Sequence, residues 1–201
     1  KLLKTHTKSN NMIILIDNYD SFTYNIYHFV SKFNVKVEVY RNNKITIDKI
    51  IKLNPKGIII SPGPGHPKNS GITVGLIKKL YKKIPILGIC LGHQAIGYAF
   101  GCNIITSSEI MHGKISKIIH NNHKIFDGID KNFFATRYHS LKINSIKFPK
   151  NLNIIAESEN KIIMGIAHNK YKIFGIQFHP ESIGTKNGIV IFKNFLNIIN
   201  E

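Results

Sequence analysis

The chain has 201 residues and carries 28 Lys and Arg against 11 Asp and Glu, a formal net charge of +17. It holds 39 Ile, 26 Lys and 22 Asn but only 11 Leu and 5 Ala, far from the usual globular balance, in which Leu and Ala lead. Such an apolar share excludes a disordered polymer, and Lys or Asn breaks every Ile cluster long before the roughly 20 residues that a membrane span needs.

Met12 to Asp17 (MIILID) is a continuous apolar run of the kind that a strand buried on both faces shows. Asp20-Ser21-Phe22 opens an amphipathic helix to about Phe33, with Phe22, Ile26 and Phe29 at helical spacing. A strand is expected over Val35–Tyr40, a short helix over Ile45–Leu53 and a buried strand over Gly57–Ser61. A helix over Gly71–Lys83, a strand over Pro85–Ile89 and a helix over Leu91–Phe100 follow. Strand and helix alternating in this way predict a parallel sheet covered on both faces. After Gly101 the texture changes. Lys114–His120, Asn153–Ala156, Ile162–Ala167 and Lys172–Phe178 alternate as antiparallel strands, and Asn187–Asn200 reads as a closing helix. The expectation is a three-layer, flavodoxin-like α/β domain over residues 12–201 with an antiparallel elaboration in its C-terminal half. Residues 1–11 form a tail whose origin the sequence leaves open.

The strongest chemical signal is Gly88-Ile89-Cys90-Leu91-Gly92, G-x-C-x-G between a strand and a helix. It is a nucleophile elbow with Cys in place of Ser. A helix N-terminus beneath the sulfur favours the thiolate, and the Leu91 N–H can point at a developing oxyanion. A buried structural Cys is the competing reading, and it suits Cys102, which has no such setting. The two cysteines are too few for a disulfide framework or a Cys-rich zinc site.

A cysteine nucleophile needs a base, and the base an orienting group. His179-Pro180-Glu181 ends a strand, and a carboxylate two residues from an imidazole can hold its tautomer. Ser61-Pro62-Gly63-Pro64-Gly65 follows another strand and leaves bare backbone amides for a ligand. It lacks the G-K-[ST] ending of a phosphate loop. His120 and His123 have ligand-like spacing, but Asn121, Asn122 and Lys124 mark a polar turn, so no metal site is expected.

The charge raises a nucleic-acid reading, since a pI near 9.9 suits a phosphate-binding surface. Only Arg41 and Arg137, however, could make bidentate contacts, and the lysines are scattered. A gene drifting in an AT-rich genome accounts for Ile, Lys and Asn together. No secretory signal is visible, so a reducing compartment is expected, the cytoplasm or a plastid stroma.

Taken together, Leu87-Gly88-Ile89-Cys90-Leu91-Gly92-His93-Gln94 and Gly175-Ile176-Gln177-Phe178-His179-Pro180-Glu181-Ser182 resemble the class I (triad) glutamine amidotransferases. Asp17-Asn18-Tyr19-Asp20-Ser21-Phe22-Thr23, Ser61-Pro62-Gly63-Pro64-Gly65 and Arg137-Tyr138-His139-Ser140-Leu141 narrow the likeness. They are similar to the glutaminase subunits of anthranilate synthases and aminodeoxychorismate synthases. The resemblance runs from Met12 to about Asn200. It implies Cys90 as nucleophile, His179 as base and Glu181 as its orienting acid. It further implies an oxyanion hole from Leu91 with Gly63 or Gly65, and a glutamine pocket of Gly63, Pro64, Gly65, Gln94, Ser140 and Leu141. No cofactor or metal is implied. The implied partner is a chorismate-binding synthase subunit, faced by Met111-His112-Gly113-Lys114, with neither nucleic acid nor membrane. A stand-alone cysteine hydrolase and a basic nucleic-acid binder are the remaining alternatives.

Overall fold

The computed structural model describes residues 11–201. The tail expected over residues 1–11 therefore lies, apart from Asn11, outside the described residues. In chain order the elements begin β1 (Met12–Asp17), α1 (Thr23–Ser31), β2 (Lys36–Arg41), α2 (Ile47–Leu53) and β3 (Gly57–Ile60). They continue with α3 (Thr73–Leu80), β4 (Ile86–Ile89) and α4 (Leu91–Ala99). The second half runs through β5 (Ile104–Thr106), β6 (Lys114–His120), β7 (Asn132–Arg137) and β8 (Leu141–Ile143). It closes with β9 (Leu152–Ser158), β10 (Ile163–His168), β11 (Ile173–Ile176) and α5 (Gly188–Asn200).

Nine strands form one sheet in the order β2-β1-β3-β4-β11-β10-β9-β6-β7, and β5 pairs with β8 separately. The first five are parallel to one another, in the arrangement of a flavodoxin-like sheet. The remaining four extend it antiparallel. Side-chain alternation along β1 divides the core into two layers. Ile13 and Leu15 meet α1 and α5 on one face, through Ile26, Val30, Ile191 and Phe195. Met12, Ile14 and Ile16 meet α2, α3 and α4 on the other, through Ile50, Leu76, Ile77 and Ile96. Cys102 is buried in this second layer. No described lysine is buried, so the lysine charge lies on solvated faces.

Two expectations need correction. The segment around β11 was expected among antiparallel strands; it pairs antiparallel with β10 but parallel with β4. Ile173-Phe174-Gly175-Ile176 is buried throughout, the mark of a strand inside a parallel sheet. His120 does not lie in a polar turn. It ends β6, buried, with its ring 4.7 Å from that of Phe126 and its Nε2 3.0 Å from the Asp130 carbonyl oxygen. The turn begins one residue later.

Candidate active site

The carboxyl ends of β4 and β11 lie side by side, with Gly88 opposite Gly175 and Ile89 opposite Ile176. Each strand delivers one reactive side chain there. Cys90 follows β4 with φ 51° and ψ −100°, a left-handed conformation that costs a non-glycine residue roughly 1–3 kcal/mol. The turn is so tight that a Cβ on Gly88 would stand 2.4 Å from the Gly92 carbonyl oxygen. The Cys90 N–H donates to the Ile176 carbonyl at 2.8 Å, and the Cys90 carbonyl accepts from Gln94 N–H at 3.0 Å, starting α4. The sulfur is thereby raised over the N-terminus of that helix.

His179 stands three residues past β11. Its N–H donates to the Thr136 carbonyl at 2.9 Å, and its own carbonyl accepts from Thr185 Oγ1 at 2.8 Å. The imidazole Nδ1 is 2.6 Å from Glu181 Oε1, both groups being almost wholly buried. Rings of Phe22 and Tyr138 wall it in, at 5.8 and 5.1 Å between centroids. Nε2 is buried and, among the described residues, has no hydrogen-bond partner. Burial alone would push the imidazole down; the nearby Cys90 sulfur and the Glu181 carboxylate outweigh it and hold His179 well above the ordinary histidine range. The arrangement suits an imidazole that readily takes up and holds a proton.

Beside the sulfur lies a cavity of about 160 Å³ lined by Gly63, Pro64, Gly65, Cys90, Gln94, Tyr138, His139, Ser140 and Leu141. The cavity is well below the roughly 300–1,000 Å³ of sites for drug-sized ligands, so it admits a small metabolite. Every residue that the sequence placed in the pocket or the oxyanion loop lines it, except Leu91, which follows Cys90 as the first residue of α4. A Cβ on Gly63 would come within 2.9 Å of Leu91 Cδ2 and 2.6 Å of Asn18 Cβ. Only a bare backbone fits there.

Several residues that hold the site carried no assigned role in the sequence reading. Arg137 is buried; its Nε lies 3.1 Å from His139 Nε2, and its Nη1 donates to Ser116 Oγ at 3.1 Å. His139 Nδ1 is 2.9 Å from the Leu141 carbonyl oxygen. Burial and then the Arg137 charge push His139 down to about 4, so the ring is neutral. Arg137 is thus part of a buried wall and not of the surface. The Met111–Lys114 segment abuts the same wall, where Met111 N–H donates to the His139 carbonyl at 3.1 Å and the His112 ring is 5.7 Å from that of Tyr138. Among the described residues no group of three or more His, Cys, Asp or Glu is placed to hold a metal ion.

The chain matches the family described as glutamine amidotransferase class-I over residues 14–199. This α/β domain, with a cysteine elbow and a facing histidine and glutamate, belongs to the class-I glutamine amidotransferases. A protein of Cyanophora paradoxa named anthranilate synthase component 2 is 54% identical over 190 residues, covering 94% of this chain and 100% of its own length. The bifunctional protein TrpGD of Thermotoga maritima is 50% identical over 188 residues, 92% of this chain, although the chain spans only 32% of that larger protein. A solved structure from Thermoplasma acidophilum, described as part of a GMP synthase, superposes with a TM-score of 0.84 at 25% identity, covering 94% of each chain.

Proposed function

We propose that this chain is the glutamine-hydrolysing component of an anthranilate synthase, supplying ammonia for tryptophan biosynthesis. The observation that carries this reading is the Cys90–His179–Glu181 constellation opening onto a cavity of small-metabolite size. In the proposed reaction His179 accepts the Cys90 proton, and the sulfur attacks the side-chain amide carbon of glutamine. The Leu91 N–H and a backbone N–H of Gly63 or Gly65 stabilise the oxyanion. His179 then returns its proton to the leaving nitrogen, releasing ammonia and leaving a γ-glutamyl thioester on Cys90. Water, activated by His179, hydrolyses the thioester to glutamate. Glu181 holds the imidazole in the tautomer that presents Nε2 to the sulfur.

Gln94 donates through Nε2 to the Leu141 carbonyl at 2.9 Å, which leaves its Oε1 for the substrate α-amino group. Ser140, exposed at the rim, offers its hydroxyl to the α-carboxylate. The chemistry needs no cofactor and no metal. Ammonia passes to a chorismate-binding synthase subunit, with the Met111–Lys114 segment on the side that meets it. The names carried by relatives at 52–54% identity favour anthranilate over aminodeoxychorismate as the product. The AT-rich signature of the composition and the algal relatives Cyanophora paradoxa and Porphyra purpurea support a plastid or similarly AT-rich genome as the source, and a reducing compartment as the site of action. Among the described residues no helix is long and apolar enough to cross a membrane.

The test is Cys90→Ser in the assembled synthase. Glutamine-dependent anthranilate formation is lost while synthesis from free ammonium persists; equal loss of both activities would make Cys90 structural and overturn the assignment.

A further inference from the structure

Behind the nucleophile lies a buried amide, Gln177, that the proposed mechanism leaves unused. Gln177 sits one residue past β11 and is wholly buried, with its N–H donating to the Met164 carbonyl at 2.9 Å. Its side-chain Nε2 is 3.6 Å from Cys90 Sγ, and its Oε1 is 3.1 Å from Gln94 Nε2. Gln94 Nε2 also donates to the Leu141 carbonyl. A carbonyl can only accept, so the Gln94 NH2 group must face Leu141, and its second hydrogen falls to Gln177. That bond commits the Gln177 oxygen and turns its NH2 group towards the sulfur. Both amide orientations are therefore fixed by one backbone carbonyl.

A second contact differs between the two states of the sulfur. Cys90 Sγ lies 3.9 Å from the Tyr138 carbonyl oxygen, a separation at which a thiol can donate a weak bond and a thiolate has nothing to donate. Gln177 Nε2 can only donate, and a donor aimed at a group that is charged in one state and neutral in the other favours the charged state. When the proton leaves for His179, the Tyr138 contact is lost and the Gln177 contact strengthens.

The geometry points to Gln177 as a positioning residue that holds the Cys90 sulfur as thiolate and ties it, through Gln94, to the end of the cavity where the substrate α-amino group is seated. This rests on the glutaminase reading only for the identity of the substrate. Among the described residues, the titratable groups around the sulfur are His179, with Glu181 and Asp20 behind it, Tyr138 and His139 in the cavity wall and His93 on α4. None of them bonds to the Gln177 side chain.

The experiment is the pH profile of Cys90 alkylation by iodoacetamide, followed on the Cys90 peptide by mass spectrometry in the full chain. It requires neither glutamine nor a partner, so it can fail while the glutaminase assignment holds, and the reverse. Gln177→Met removes the donor at similar volume and is expected to raise the midpoint by about one pH unit, a tenfold loss of thiolate at a given pH below it. Gln177→Asn keeps the amide but draws it back from the sulfur, and is expected to raise the midpoint likewise; it carries the test alone should the Met variant not fold. In glutamine hydrolysis both variants lower kcat more than they raise KM. A midpoint that stays in place or falls in the folded variants would overturn the proposal and leave Gln177 a packing residue.

Discussion

Asn18 grips Ser61 at two points: its backbone N–H donates to Ser61 Oγ at 2.9 Å and its Nδ2 to the Ser61 carbonyl at 3.0 Å. Asn42 Nδ2 and Thr73 Oγ1 in turn both donate to Asn18 Oδ1. The turn after β1 thus clamps the loop after β3, which carries Gly63 to the edge of the elbow. Gly63→Ala would drive a Cβ to 2.7 Å from the Asn18 carbonyl oxygen, so the loop must retreat. The expected cost is about 1–3 kcal/mol of stability in urea melts. With one oxyanion donor displaced, kcat for glutamine hydrolysis is expected to fall about 10²- to 10³-fold. A variant destabilised by that amount yet fully active would show that Gly63 lies outside the oxyanion hole.

Glu181→Gln removes the charge that sustains protonated His179 and offers an N–H where an acceptor is needed. Glutamine hydrolysis is expected to drop about 10²- to 10⁴-fold, while the assembled synthase continues to use ammonium. Steady-state rates with the two nitrogen sources measure both effects, and an unchanged glutamine rate would remove Glu181 from the triad.

The two cysteines are expected to differ sharply towards electrophiles. Cys102 is packed in the core, where burial pushes its thiol up to about 11, and it is not among the residues that line the cavity. Cys90 lines the cavity. A glutamine-analogue chloroketone at neutral pH should therefore label the Cys90 peptide alone, as read by peptide mass spectrometry. Labelling of Cys102 in its place would contradict the assignment of the nucleophile.

Acid should unfold the domain through its buried histidines. Burial pushes His93 down to about 3, and burial with the Arg137 charge pushes His139 to about 4. Both stay neutral in the folded chain and take up protons near pH 6.5 once unfolded. The unfolded state binds more protons in that interval, so stability is intact above about pH 6.5 and declines as pH falls towards 4. The decline is about 1.4 kcal/mol per pH unit for each histidine. His179 runs the other way: its raised value makes its contribution disappear as pH climbs. Urea melts between pH 7 and 4.5 should show the acid decline, and His93→Leu should remove about half of its slope.

What the sequence disclosed depended on how local the controlling interactions are. The elbow, the parallel β1-β3-β4 core and the His179–Glu181 pair are written in contiguous motifs whose spacing fixes their geometry. The direction of β11 was not, because an apolar four-residue strand carries no mark of its partner. The short strands β5 and β8 and the strand β7 were not named, since their pairing rests on contacts with distant segments. Gln177 lay inside a recognised motif, yet its role depends on Gln94 and Leu141, far away in the chain. Arg137 illustrates the converse, a charged residue that composition places on the surface and long-range packing buries.

The nucleophile and the strand that brings its base are adjacent in the sheet but nearly ninety residues apart along the chain; Cys90 and Gln177 are separated by 87. Closing so long a loop carries an entropic cost, met by contacts that form only once the antiparallel extension is in place. On the ribosome, Cys90 therefore emerges well before the imidazole that would activate it. A chain cut short before His179 would hold the thiol without its imidazole, and is expected to be inert towards glutamine however well its first half folds.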